Sequence, residues 1–107
     1  MSLDVSLLER KLTEVYEANI THNLGNMAKE AGIYYHLWRP EEIGITKARG
    51  LIEPLAIGLA LLKSDPERFE KFNSPNGWGM YKNFVPFVEK YLRACEEHPG
   101  SKIHISR

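Results

Sequence analysis

The 107-residue chain has a single cysteine, Cys95. A lone thiol closes no internal disulfide and builds no cysteine-ligated zinc site. Its place in an apolar helical pattern reads as a buried, inert thiol. Small secreted domains commonly carry paired cysteines, so the expected setting is reducing and cytoplasmic. Charge of one sign is also missing: 14 Lys and Arg stand against 14 Asp and Glu, a formal net charge of zero. The broad positive field of a nucleic-acid binder is therefore absent, and no nucleic-acid partner is expected. Weak self-repulsion leaves a homo-oligomer open. The longest apolar stretch, Pro54 to Leu62, falls far short of the roughly 20 residues that span a bilayer, so no membrane partner is expected. Residues Met1 to Arg10 have no basic stretch followed by an apolar run and do not read as a signal peptide.

Familiar catalytic signatures are missing too. There is no Gly-rich phosphate loop, no Gly-x-Ser-x-Gly elbow and no His-Glu-x-x-His helix. The histidines His22, His36, His98 and His104 have no metal-ligand spacing. No metal, no cofactor and no catalytic residue is assigned on this basis.

What is present suits an ordinary folded domain. Hydrophobic residues make up 43% and charged residues 26%, near the globular average. One domain over residues 1–107 is expected. Phe84, Phe87, Val88, Tyr91, Leu92 and Cys95 share one helical face, which predicts a helix over 81–97. Pro86 is placed near its start, where a missing N–H is harmless. Ala48, Leu51, Ile52, Leu55, Leu59 and Leu62 predict a second helix, capped by Thr46 and kinked at Pro54. Ser64 and Glu67 have capping-box spacing before a short helix that buries Phe69 and Phe72. Leu24, Met27, Ala28 and Ala31 predict an earlier helix closed by Gly32. A short helical turn follows from Ile33 to Trp38, and Pro40 stops it.

Residues 1–20 fit two patterns. Val5, Leu8, Leu12 and Val15 suit a helix, whereas Leu3, Val5 and Leu7 followed by Tyr16, Ala18 and Ile20 alternate as strands. Lys102 to Ser106 alternates as a strand and needs a partner for its backbone. The only candidate is the N-terminal segment, so strands are expected near 3–8 and 13–19. The expected class is α+β: a helix-dominated single domain, about four helices packed on a small antiparallel sheet of the N-terminal strands and the C-terminal strand.

Three polar or aromatic clusters are candidates for function. Asn19-Ile20-Thr21-His22-Asn23 lies where a strand passes into a helix. A helix start offers N–H groups to an anion, or Thr21 or Asn23 simply caps it. Tyr34 to Pro40 offers Trp38 and Arg39, which could stack on a planar ligand and pair with its anion. Alternatively, Trp38 is core and Arg39 pairs with Glu41 or Glu42. The loop Asn73 to Gly79 ends Asn76-Gly77-Trp78-Gly79. Its glycines permit a tight turn that presents Trp78 as a lid or partner anchor, or it plugs the helices. The candidate ligand-binding residues are thus Asn19, Thr21, His22, Asn23, Arg39, Asn76 and Trp78. In an enzyme, His22 would be the acid–base group.

Asn19-Ile20-Thr21-His22-Asn23-Leu24, Ala31-Gly32-Ile33-Tyr34, Leu37-Trp38-Arg39-Pro40-Glu41-Glu42 and Asn76-Gly77-Trp78-Gly79 carry a resemblance. From about Glu14 to Arg107 the chain resembles a family of short uncharacterised proteins of tailed phages, prophages and many bacteria. The resemblance implies a phage or bacterial cytosolic setting and no particular chemistry. Three functions compete. One is a binding protein for a small anionic or nucleotide-like ligand. Another is an interaction module, either a homo-oligomer or an inhibitor of a host protein. The third is a small enzyme using His22.

Overall fold

The computed structural model describes residues 2–10 and 13–107. Three antiparallel strands, β1 (Ser2–Leu8), β2 (Glu14–Thr21) and β3 (Lys102–Ser106), form a sheet in the order β2-β1-β3. Five helices pack with it: α1 (Gly25–Glu30), α2 (Tyr34–Trp38), α3 (Arg49–Ser64), α4 (Pro66–Glu70) and α5 (Tyr81–Glu97). The α+β class holds, and the C-terminal strand pairs with the N-terminal segment. Among the described residues, no helix is long and apolar enough to cross a membrane.

The register explains why the N-terminal pattern resolves as strand. Leu3, Val5 and Leu7 face Ile20, Ala18 and Tyr16 on one side, and Val5 and Leu7 face Ile105 and Ile103 on the other. All these side chains lie on the face turned to the helices, and Leu3, Val5 and Leu7 are fully buried. Period-two alternation on three strands thus serves one core. β2 runs two residues beyond its expected end because Ser2 and Leu3 pair with Thr21 and Ile20. Of the competing helical set, Leu12 lies outside the described residues.

Under the sheet, α3 packs along α5, and α5 passes below β2, where Tyr16 and Tyr91 stack with centroids 5.9 Å apart. The largest fully buried side chains are Tyr91, Phe69 and Phe84. Each contributes about 1.5–3 kcal/mol of apolar burial.

Three local expectations need correction. Thr46 does not cap α3. The cap position is Ala48, with no side-chain bond. The N–H groups of Ala48 and Arg49 donate instead to the carbonyls of Ser101 and Pro99, while Thr46 contributes its carbonyl to Ile103 N–H. A neighbouring backbone segment thus meets the helix start's needs, and a hydroxyl is redundant. The Ser64–Glu67 capping box is absent as well. Ser64 is the last residue of α3, its Oγ donates to Leu61 O, and α4 starts from Asp65. The cap position, Asp65, makes no side-chain cap bond either. Pro86, third, lies inside α5 rather than in its first turn. It therefore forfeits the bond that an N–H would make to Lys82 O, a loss offset by the packing of Phe84, Phe87 and Val88 around it. Pro54, as expected, sits within one continuous helix.

α1 closes as the sequence predicts. Gly32 has φ +77°, its N–H donates to Lys29 O, and Ile33 N–H donates to Ala28 O. This is the six-to-one and five-to-two pairing of a Schellman end, which needs a left-handed residue. It turns the chain sharply, so α2 folds back beside α1.

The core carries a pH signature. Burial pushes the Cys95 thiol up to about 12, from an ordinary 9.0. Burial likewise raises Tyr91 well above 10.0, and it raises Tyr16. For each group the folded pKa exceeds the unfolded one. Stability is therefore fully present below the unfolded values and lost as pH rises from about 9 toward 12. Denaturant titrations across that range should show the midpoint falling, and Cys95 alkylation should track unfolding. The Tyr91 hydroxyl is buried with no hydrogen-bond partner among the described residues. Tyr91→Phe removes an unsatisfied group and should raise stability by about 1 kcal/mol. A loss in the same titration would show that the hydroxyl is satisfied in solution.

Candidate functional site

The three clusters meet. His22 follows β2 in a 3-10 turn (His22–Leu24) that Thr21 caps by accepting from Asn23 N–H at 3.3 Å. Thr21 thus takes the plain capping role. The Trp38 indole N–H donates to His22 Nδ1 at 2.7 Å. An indole can only donate, so Nδ1 is unprotonated and the imidazole proton resides on Nε2. Asn23 Nδ2 donates to Trp78 O at 2.8 Å. The pair His22-Asn23 is therefore a ridge, tied on one side to the end of α2 and on the other to the Trp78 loop.

A cleft lies on each side of the ridge. The first, about 680 Å³, is lined by Lys29, Arg39, Arg107, Asn26, Asn73, Ser74, Tyr34 and Trp38 together with the ridge. No carboxylate lines it among the described residues. Arg107 Nη1 donates to Trp38 O at 2.8 Å and to Glu41 at 2.9 Å, and Arg39 Nη1 pairs with Glu42 at 2.8 Å. These acids hold the guanidiniums in place and leave further N–H groups on each for a ligand. Lys29 Nζ lies 4.8 Å from the Tyr34 ring centroid and makes no ion pair among the described residues.

The second cleft, about 730 Å³, has a different character. Asn19, Asn76 and Asn83 line it with Thr21, Trp78 and the ridge, and among the described residues no Lys, Arg, Asp or Glu does. Trp78 is 69% exposed, so it does not plug the helices. Its loop is built internally: Asn76 Oδ1 accepts from Ser74 Oγ at 2.6 Å and from Trp78 N–H at 2.9 Å. Asn76 thus organises the turn and has only its amide nitrogen left for a ligand. Gly79 has φ +113°, and a Cβ there would stand 2.8 Å from Asn23 Cβ. Both the backbone angle and the contact demand glycine where the loop meets the ridge.

Of the two readings of Trp38 and Arg39, the core reading holds: Trp38 is buried and Arg39 pairs with Glu42. The Trp38 indole is 3% exposed, and Tyr34 lies parallel to it at 5.3 Å. Trp38 is a buried strut that orients His22. The exposed indole of the site is Trp78. Of the seven candidate residues, Asn19, Thr21, His22, Asn23, Asn76 and Trp78 line the second cleft, and Arg39 joins His22 and Asn23 at the first.

Sequence reasoning missed Asn26, Lys29 and Arg107, and reached Asn73 and Ser74 only as part of the Asn73–Gly79 loop. A signal existed for two of them: Asn23, Asn26 and Lys29 follow one another at a spacing of three, one side of a helix. Arg107 had none, since its partner Trp38 is 69 residues away.

For acid–base chemistry, His22 offers one ring nitrogen, because Trp38 holds the other. No hydrogen bond joins His22 to a hydroxyl or thiol among the described residues, and Cys95 is buried with its thiol held protonated. Among the described residues, no three His, Cys, Asp or Glu side chains gather as a metal-ligand set. Comparison of the chain with protein-family models, with curated proteins and with solved structures finds no match.

Proposed function

We propose that the protein binds a small anionic, nucleotide-like ligand. The charged end occupies the first cleft, and a neutral planar part lies across the ridge against Trp78. One observation carries this reading. The chain is neutral overall, yet Lys29, Arg39 and Arg107 line one cleft whose lining holds no Asp or Glu among the described residues; Glu42 and Glu41 pair with the two guanidiniums, and Lys29 makes no ion pair among the described residues. Such a site concentrates an anion in a way that a neutral surface does not. The amides and indole of the adjoining cleft suit base edges and a ring face.

Calorimetric titration with inorganic pyrophosphate, a nucleoside triphosphate and the uncharged nucleoside tests the reading. The two phosphates should bind and the bare nucleoside should not. Added salt should weaken binding. Trp78→Ala should weaken the nucleotide by about 1–3 kcal/mol, the value of one base stack, and leave pyrophosphate almost unchanged. No heat from either phosphate at millimolar concentration would refute the reading. The bare exposure of Trp78 favours one alternative, a protein partner anchored on the indole. In that case Trp78→Ala abolishes capture of the partner, and neither phosphate binds.

A further inference from the structure

The two edges of the sheet are not equivalent. The outer edge of β3 is covered in part, because Ile103 N–H donates to Thr46 O and Lys47 bridges to Lys102. The outer edge of β2 makes no backbone hydrogen bond beyond β1 among the described residues. It is eight residues long and contains no proline, lysine or arginine. An exposed strand edge of this length is a template for another strand, and proteins usually block it with such residues.

We propose that β2 is a homodimer interface. Two copies pair β2 antiparallel about a twofold axis at Ala18, joining two three-stranded sheets into one of six. The occupant follows from the strand's own sequence. A twofold axis perpendicular to the sheet keeps the helix faces of both copies on one side, so even-numbered residues oppose even and odd oppose odd. Two registers use nearly the whole strand. An axis at Glu17 sets two carboxylates directly opposite each other, which is destabilising. An axis at Ala18 sets Ala18 on Ala18, Tyr16 on the partner's Ile20 on the helix face, and Glu17 on the partner's Asn19 on the exposed face. Every pair is then compatible. Because the β3 edge is partly covered, pairing closes at two copies rather than growing into a filament. Thr21 lies opposite the partner's Val15, so the second strand runs up to the rim of the second cleft. The proposal does not rest on the ligand reading, and its test uses no ligand.

Sedimentation and cross-linking of the full chain decide it. The wild type should populate a species of twice the 12.3 kDa chain mass at about 100 µM. Ala18→Cys should oxidise to a disulfide-linked dimer, since paired Cα atoms on the axis fall within the ~4.4–6.8 Å that a disulfide spans. Glu17→Cys and Asn19→Cys should not. The native Cys95 is buried and does not interfere. Positions 17 and 19 are exposed, so charge changes there spare the fold. Asn19→Lys faces Asp4 within the chain and Glu17 across the axis, and should tighten the dimer several-fold. Glu17→Lys combined with Asn19→Lys sets lysine against lysine twice and should loosen it by a similar factor. A monomer at this concentration with Ala18→Cys unlinked overturns the proposal. So does a dimer that ignores both charge variants and cross-links elsewhere.

Discussion

Lys29→Met combined with Arg107→Met is expected to weaken binding of pyrophosphate or a nucleoside triphosphate by at least about 100-fold. A hydrogen bond to a charged group is worth about 1.5–3 kcal/mol, and two are lost. The melting temperature should move by only a few degrees. Lys29 is exposed and leaves only a ring contact with Tyr34. The Arg107–Glu41 pair is more than a third exposed on both sides, where ion pairs contribute little. The Trp38 carbonyl loses one donor, for about 1 kcal/mol. Calorimetry and thermal melts on the same preparations separate the two effects. Unchanged affinity would remove the cationic cleft from the account. Collapse of the fold would assign Arg107 a structural role instead.

The second large effect comes from a residue with no polar chemistry. Gly58 sits buried in the middle of α3, and a Cβ there would stand 2.5 Å from Ile33 Cγ2 and 3.2 Å from its Cδ1. In an open helix, replacing glycine gains up to about 1 kcal/mol in propensity. Here the overlap outweighs that gain, because Ile33 closes the Schellman end of α1 and has nowhere to retreat. Gly58→Val should destabilise by about 3 kcal/mol, the upper end of the usual overpacking range. In a domain of this size that lowers the melting temperature by roughly 12–24 °C. Ligand affinity should fall too, since Ile33 leads into α2 and thus into Trp38 and His22. In an Ile33→Ala background, Gly58→Ala should cost much less than it does in the wild type, a coupling that a double-mutant cycle measures.

These two residues also show what could be read from the sequence and what could not. α5 was legible because Phe84, Phe87, Val88, Tyr91 and Cys95 repeat the helical period, and all are buried. β3 was legible from alternation, and its pairing with the N-terminal segment followed because a lone strand leaves its backbone unsatisfied, whereas the choice of β1 as its neighbour did not. Gly58 was not legible as a packing residue, since its meaning lies in the absence of a side chain opposite Ile33. The starts of α3 and α4 were misread for a related reason. A cap is a local signal only while nothing else reaches the orphan donors, and the Pro99–Ser101 backbone does reach those of α3.

The site followed the same division. The sequence singled out His22, Asn23, Trp38, Arg39 and Trp78 as unusual, and the fold brings their clusters together. It offered Trp38 as core or as ligand platform, and it could not reveal that the buried indole holds His22 Nδ1. Nor could it place Arg107 beside Trp38, because that contact joins the last residue of the chain to α2.

The most direct test of the central claim is a two-dimensional nitrogen–proton NMR titration with pyrophosphate. The account predicts shifts confined to His22, Asn23, Asn26, Lys29, Arg39, Ser74 and Arg107. It also predicts a clear movement of the Trp38 indole N–H, which reports on its 2.7 Å bond to His22. A spectrum that stays still would contradict it, as would shifts gathered around His36 and the exposed Ile57 between α2 and α3.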